Sequence, residues 1–141
     1  MAELSLEIIT PSKLIYSGII KSITVPGTMG SFQVLVNHAP LLATFEIGEI
    51  KIVYPNGETV YYATGGGTIE VNNNKVEVLA DTLETFNEID IERAKKAKER
   101  AAKRLKNRDK ETDLDRAESA LKRAMNRLYI VEKRIKSEVP K

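Results

Sequence analysis

At 141 residues, 42% hydrophobic and 30% charged, the chain is long enough to bury one good core and too apolar to be disordered. It has no cysteine and a single histidine, which excludes a disulfide framework and any thiolate metal centre. The formal net charge of +2 hides a division: residues 1–87 carry 4 Lys+Arg against 9 Asp+Glu, net −5, whereas residues 88–141 carry 18 against 11, net +7, a basic tail that points to a binding partner.

The opening residues MAELSLEIITPSK show no basic stretch followed by an apolar one, and no apolar run approaches the roughly 18–20 residues of a bilayer span. The expectation is therefore a soluble, unsecreted chain that meets a membrane only through a partner. Residues 4–10 alternate as LSLEIIT, and Pro11-Ser12 interrupts before a short extended piece at 14–16. Residues 19–25 end at Pro26-Gly27, a turn follows, and 32–36 (FQVLV) form the next strand. After Asn37-His38-Ala39-Pro40, strands are predicted at 41–45 and 48–54. Pro55-Asn56-Gly57 closes a hairpin onto 59–64, with Asn-Gly supplying the positive φ of a tight turn. Gly65-Gly66-Gly67 separates that strand from 68–71, and Asn72-Asn73-Asn74 makes a second hairpin into 75–79. Short strands with a turn every 8–12 residues or so predict an all-β sandwich or barrel that ends near Leu83.

From Ile89 the apolar period lengthens to about 3.5. Asp90 is the predicted N-cap, and Ala94, Ala97, Ala101 and Leu105 form a stripe of mostly small residues. Asn107 to Thr112 is a polar turn; Asp113 then caps a second helix whose apolar positions Leu114, Ala117, Leu121, Ala124, Leu128, Val131 and Ile135 follow a 3-4 seam. So short a connection predicts an antiparallel αα-hairpin. The fold class expected is α+β by segregated domains: a flattened all-β sandwich at 1–87 followed by the hairpin at 88–141. With so many alanines the hairpin should be marginally stable, and hence docked only conditionally.

His38 has no second histidine or cysteine to share a metal, so a turn or interface role is expected of it. Gly65–Gly67 resembles a phosphate loop only superficially, because neither a following Lys-Ser/Thr nor a helix start is present. No catalytic grouping and no metal site are predicted. Arg93, Arg100 and Arg104 recur at 7 and 4, and Arg123 and Arg127 at 4, so each helix can line guanidinium groups along one side to meet phosphate or carboxylate. The competing reading is a solvated basic face with pairs such as Glu99–Lys103. Interleaved acids argue against nucleic-acid binding.

Four ordered segments carry a resemblance: NHAPLLATFEIGEIKI at 37–52, YATGGGTIEVNNNKVEVLAD at 62–81, IDIERA at 89–94 and ALKRAMNRL at 120–128. Together they resemble the epsilon subunit of bacterial rotary ATP synthase. The resemblance implies a non-catalytic rotor subunit, peripheral at the cytoplasmic face of the plasma membrane, whose partners are gamma, the c-ring and the alpha and beta subunits. Its sandwich helps couple proton-driven rotation to synthesis, and its mobile hairpin inhibits ATP hydrolysis when extended. It implies no required cofactor, but ATP as a regulatory ligand of the compact form, on positions that fall here at Glu84, Ile89, Asp90, Arg93, Ala94, Arg100, Arg123 and Arg127. It also implies a rotor interface at Ser31, His38, Ala39, Pro40 and Leu41; Ser31 stands where many members carry an acidic residue. The residues alone leave two alternatives open, a stand-alone ATP-sensing module and a basic adaptor or nucleic-acid-binding protein. The eleven residues 84–94 are expected to serve as cap, hinge and ligand contact at once.

Overall fold

The computed structural model describes residues 2–85, 87–107 and 113–138, with side chains through Arg134. The chain divides into two compact units, Met1–Thr85 and Phe86–Lys141. The first holds eight strands: β1 (Leu4–Ile9), β2 (Leu14–Ile20), β3 (Ser22–Val25), β4 (Phe32–Val34), β5 (Leu41–Val53), β6 (Thr59–Asn72), β7 (Lys75–Ala80) and β8 (Leu83–Thr85). Their order is β2-β1-β7-β6-β5-β3-β4, with β8 joined to β6.

The long strands β5 and β6 make a sandwich out of one continuous sheet. Residues 41–45 of β5 and 67–72 of β6 pair in the layer that contains β7, β1 and β2, while 47–53 and 59–65 pair in the layer with β8, β3 and β4. The ladder skips one residue on each strand, since Phe45 pairs with Gly67 and Ile47 with Gly65. Glu46 instead donates its N–H to the Pro26 carbonyl at 2.8 Å, and Gly66 takes φ +100°. Such a break bends a strand, and here it carries both strands from one layer to the other. The sequence reading split β5 and β6 at this point; the strands in fact run through. The glycines are required by geometry rather than by a ligand, because a Cβ on Gly67 would collide with the Leu79 carbonyl oxygen and stand 2.9 Å from Ala80 Cα.

β1 runs parallel to β7, pairing residues 5–9 with 75–79, so the first strand is closed by the last hairpin. That hairpin turns through Asn73 and Asn74 at φ 49° and 61°, the two positive values of a type I′ turn. In the other predicted hairpin only Gly57 is positive, at 90°; Tyr54 N–H donates to Glu58 O at 2.8 Å across a three-residue loop that ends on the glycine. The core lies between the layers. Leu4, Leu6 and Ile8 of β1 meet Val76 and Val78, Ile69 and Val71, Ile23 and Val25, and Ile50 and Ile52, all at 3% exposure or less. Each such side chain is worth about 1.5–3 kcal/mol of burial.

The second unit is α1 (Ile91–Lys106) and α2 (Leu114–Glu138), which pack against each other as a hairpin. Asp90, at φ −83° and ψ 103°, accepts the Arg93 N–H on its side chain at 3.1 Å, and Asp113 accepts the Arg116 N–H at 3.0 Å, so both caps satisfy donors the helices would otherwise leave free. Asn107 closes α1, with Lys103, Arg104 and Lys106 near its negative end. Ala94 and Ala101 are buried on α1, and Ala117, Ala124 and Val131 on α2; of the other anticipated seam positions Ala97, Leu105, Leu121 and Leu128 are half-buried and Leu114 is exposed. Ile130, outside that seam, is also buried, at 1% exposure. The predicted turn at 108–112 and the side chain of Ile135 lie outside the described residues. No helix among the described residues is long and apolar enough to cross a membrane.

Candidate functional site

Of the residues that resemblance assigns to ATP, the hairpin brings three together. Asp90, Arg93 and Arg100 line an open groove of about 670 Å³ along α1, with Glu92, Lys96, Glu99 and Lys103. Steps of three and four residues put these side chains on one helical face, and all of them are exposed. Four cations stand among three carboxylates there. Glu92 precedes Lys96, and Glu99 precedes Lys103, at the i,i+4 spacing that favours ion pairing, so an anionic ligand has to compete with resident carboxylates. Asp90 already spends one carboxylate oxygen on the helix cap.

The remaining positions are arranged differently. Ile89 and Ala94 are buried, at 7% and 4% exposure, so their side chains belong to packing. Arg123 and Arg127 are half-buried on α2 and do not line the α1 groove. Glu84 is a residue of β8, opposite Ala63 of β6, so it belongs to the sheet of the β unit. Lys96, which the sequence reading did not single out, and Lys103, which it named only as an ion-pair partner of Glu99, belong to the groove, and their i,i+7 spacing alongside Arg93 and Arg100 was the signal available for them.

The proposed rotor-interface residues fall on two loops. Ser31 is exposed at the end of a turn in which Gly30 N–H donates to Gly27 O at 3.0 Å, and the Thr28 hydroxyl meets that of Thr44 at 2.7 Å. His38 lies beyond β4, half-buried, its Nδ1 2.7 Å from the Ala39 carbonyl oxygen. This second loop is held from below. Asn37, at φ 65°, donates its N–H to the Asn74 Oδ1, and Asn74 Nδ2 donates to Asn37 Oδ1 at 3.2 Å. The clasp fixes Ala39, Pro40 and Leu41 at the start of β5. Leu35 (48% exposed), Val36 (42%) and Leu42 (75%), close to this loop in sequence, present apolar side chains to solvent. Among the described residues no group of three or more His, Cys, Asp or Glu side chains is arranged to hold a metal ion.

A β-sandwich joined to a separate helical hairpin, with exposed apolar residues beside a loop on one and a basic helix face on the other, defines a two-unit binding module. Residues 3–86 match the family "ATP synthase, Delta/Epsilon chain, beta-sandwich domain" and residues 87–132 match "ATP synthase, Delta/Epsilon chain, long alpha-helix domain". The ATP synthase epsilon chain of Salinibacter ruber is 40% identical over 111 residues, spanning 73% of this chain and 74% of its own length. That of Desulforamulus reducens is 42% identical over 106 residues, 75% and 80% of the two chains. A chain in the cryo-EM structure of the Euglena gracilis mitochondrial ATP synthase, OSCP/F1/c-ring, superposes with a TM-score of 0.79 at 23% identity, covering 96% of this chain and 82% of that one; at this identity the likeness concerns the fold. The chain thus belongs to the ATP synthase delta/epsilon family and is an epsilon-type, non-catalytic subunit of that complex.

Proposed function

We propose that this chain is a rotor subunit that couples proton-driven rotation to ATP synthesis and restrains ATP hydrolysis through its hairpin. The observation that carries this reading is the match of both family domains in order over residues 3–132, on a chain that itself divides into a β unit and a helical unit. The β unit docks on gamma and the c-ring, in part through His38, Ala39, Pro40 and Leu41 and the apolar residues around them; Ser31 contributes no carboxylate. The hairpin leaves its compact form to meet the alpha and beta subunits, and its basic surface suits acidic ones. The protein sits peripherally at the cytoplasmic face of the plasma membrane, held there by the complex. A likeness in fold to chains of the mitochondrial ATP synthases of Euglena gracilis and Tetrahymena thermophila supports membership of such a complex.

ATP is the proposed regulatory ligand of the compact hairpin. The α1 groove with Arg93 and Arg100 supports phosphate contact, and Arg123 and Arg127 would have to swing toward it from α2. A ligand bound only to the compact form stabilises it by RT ln(1+[L]/Kd), and so opposes inhibition. The same groove supports a second reading, an ATP sensor acting apart from the motor. Titration of ATP into the full chain beside an Arg123→Ala, Arg127→Ala variant tests the site: weaker binding by the variant is expected, and equal binding removes α2 from it. Recovery of gamma, alpha and beta with the tagged chain separates the subunit from the stand-alone sensor.

A further inference from the structure

The tip of the β5–β6 hairpin brings together the groups of one covalent reaction. Of the chain's eight asparagines, Asn56 alone is followed by glycine. Pro55, Asn56, Gly57 and Glu58 are all exposed, and Gly57 takes φ 90°, a conformation that suits a residue without Cβ. The Glu58 N–H donates to the Asn56 Oδ1 at 2.9 Å, closing an Asx turn over the intervening Gly57 peptide. This turn sets the Asn56 carboxamide beside the Gly57 nitrogen, and no side chain on Gly57 obstructs their approach. It also holds an N–H donor against the oxygen on which negative charge would develop if that nitrogen attacked.

The Gly57 N–H is bonded to the Tyr54 carbonyl oxygen at 2.9 Å, so attack requires that bond to open. At an exposed loop tip such opening lies at the low end of local stability. Other asparagines of the β unit lack this combination. Asn72, Asn73 and Asn74 precede Asn, Asn and Lys, each with a side chain beside the nitrogen. The Asn37 and Asn74 carboxamides are engaged with each other in the clasp.

We propose that Asn56 is a self-modification site, at which the chain converts its own asparagine to aspartate and isoaspartate with water as the co-reactant. A base removes the Gly57 N–H proton, and the nitrogen attacks Asn56 Cγ. An N–Cγ bond forms, the Cγ–Nδ2 bond breaks, and Nδ2 leaves as ammonia with a proton from solvent. Water then opens the resulting succinimide. Addition at Cγ yields aspartate; addition at the Asn56 backbone carbon yields isoaspartate. The conversion consumes a water, releases an ammonia and changes no oxidation state. Either product adds a carboxylate beside Glu58, to a segment 1–87 already at net −5. Isoaspartate also routes the main chain through the side-chain carbon, so the Tyr54 N–H to Glu58 carbonyl bond of 2.8 Å that closes the loop loses its geometry. The change stays local, because the β5–β6 ladder continues inward from Val53 and Thr59. This chemistry needs no partner and is independent of the reading of the chain as a subunit.

The test incubates the full chain in mildly alkaline buffer and digests it with trypsin after Lys51 and Lys75, which leaves Asn56 and Asn72 to Asn74 on one peptide. Fragmentation mass spectrometry should show Asn56 converting about tenfold faster or more than any of the other three, as a mixture of aspartyl and isoaspartyl chains. Gly57→Ala, which puts a Cβ beside the nucleophile, should slow the conversion by about tenfold or more. Amide exchange of the isoaspartyl fraction should show protection lost at Tyr54 and retained in β1 and β7. Conversion no faster at Asn56 than at Asn72 to Asn74 overturns the proposal. So does an Asn56 that stays intact in the folded chain while it converts in urea, because the fold then guards the site. An unchanged rate in Gly57→Ala removes the Gly57 nitrogen as nucleophile and overturns it as well. The comparison within one peptide uses no substitution, and so decides the matter even if Gly57→Ala fails to fold.

Discussion

Ile130 is the sharpest lever on the hairpin. It is the one hairpin residue among the largest fully buried side chains of the described residues, in a unit whose other buried positions are mostly alanines. Replacing a buried Ile by Ala costs about 2–5 kcal/mol through lost transfer energy and the cavity left behind. A 56-residue unit at the usual stability per residue holds about 3–8 kcal/mol in all, and an alanine seam argues for the lower end. Ile130→Ala should therefore melt α1 and α2 at room temperature while the β unit stays folded. Far-UV circular dichroism with amide exchange reads this directly: helical signal and protection in 91–138 should fall, and protection in β1, β6 and β7 should persist. Tyr129→Ala, one residue away and 61% exposed, should change stability by about 0.5 kcal/mol or less. If Ile130→Ala keeps its helical signal and protection within about 0.5 kcal/mol of wild type, the hairpin's stability resides elsewhere and its proposed readiness to detach loses its physical basis.

Three further outcomes are expected. Gly67→Ala drives a Cβ into the Leu79 carbonyl and should lower the stability of the β unit by about 3 kcal/mol, read as a denaturant midpoint; a change under about 1 kcal/mol would mean the layer crossing relaxes freely. Asp90→Ala removes the cap on Arg93 N–H and should destabilise the hairpin by about 1 kcal/mol, with amide exchange fastest in the first turn of α1; unchanged exchange there contradicts the cap. Burial, and to a lesser degree the neighbouring Tyr54, holds the Tyr16 hydroxyl above its ordinary value of 10.0. A raised folded-state value stabilises fully below pH 10 and is lost as pH rises through that value, so urea midpoints of wild type should fall faster above pH 10 than those of Tyr16→Phe; parallel profiles would refute it.

Much of this architecture is legible in the chain because local rules and packing agree. Alternation in LSLEII and KVEVLA marks the buried faces of β1 and β7, the paired asparagines mark a turn of two positive φ values, and Asp90 and Asp113 announce both helix starts. What stayed hidden depends on partners distant in sequence. The glycine run reads locally as a break, yet β6 passes through it because β7 approaches so closely. The parallel pairing of β1 with β7 leaves no local trace, and β8 exists only because β6 offers it an edge. Ile130 escaped because a two-position seam describes a helix pair, whereas α2 also buries the neighbouring stripe. At the proposed ligand site, spacing found Arg93 and Arg100 but not Lys96, and could not tell that Arg104 of α1 and Arg123 and Arg127 of α2 do not line the groove.

The central claim is that the helical unit is a detachable brake on a motor to which the β unit remains bound. ATP hydrolysis by the catalytic complex, reconstituted with the full chain or with a chain ending at residue 87, measures this most directly. The account predicts that both chains assemble and that hydrolysis rises when the hairpin is missing; equal hydrolysis by the two assembled complexes would contradict it.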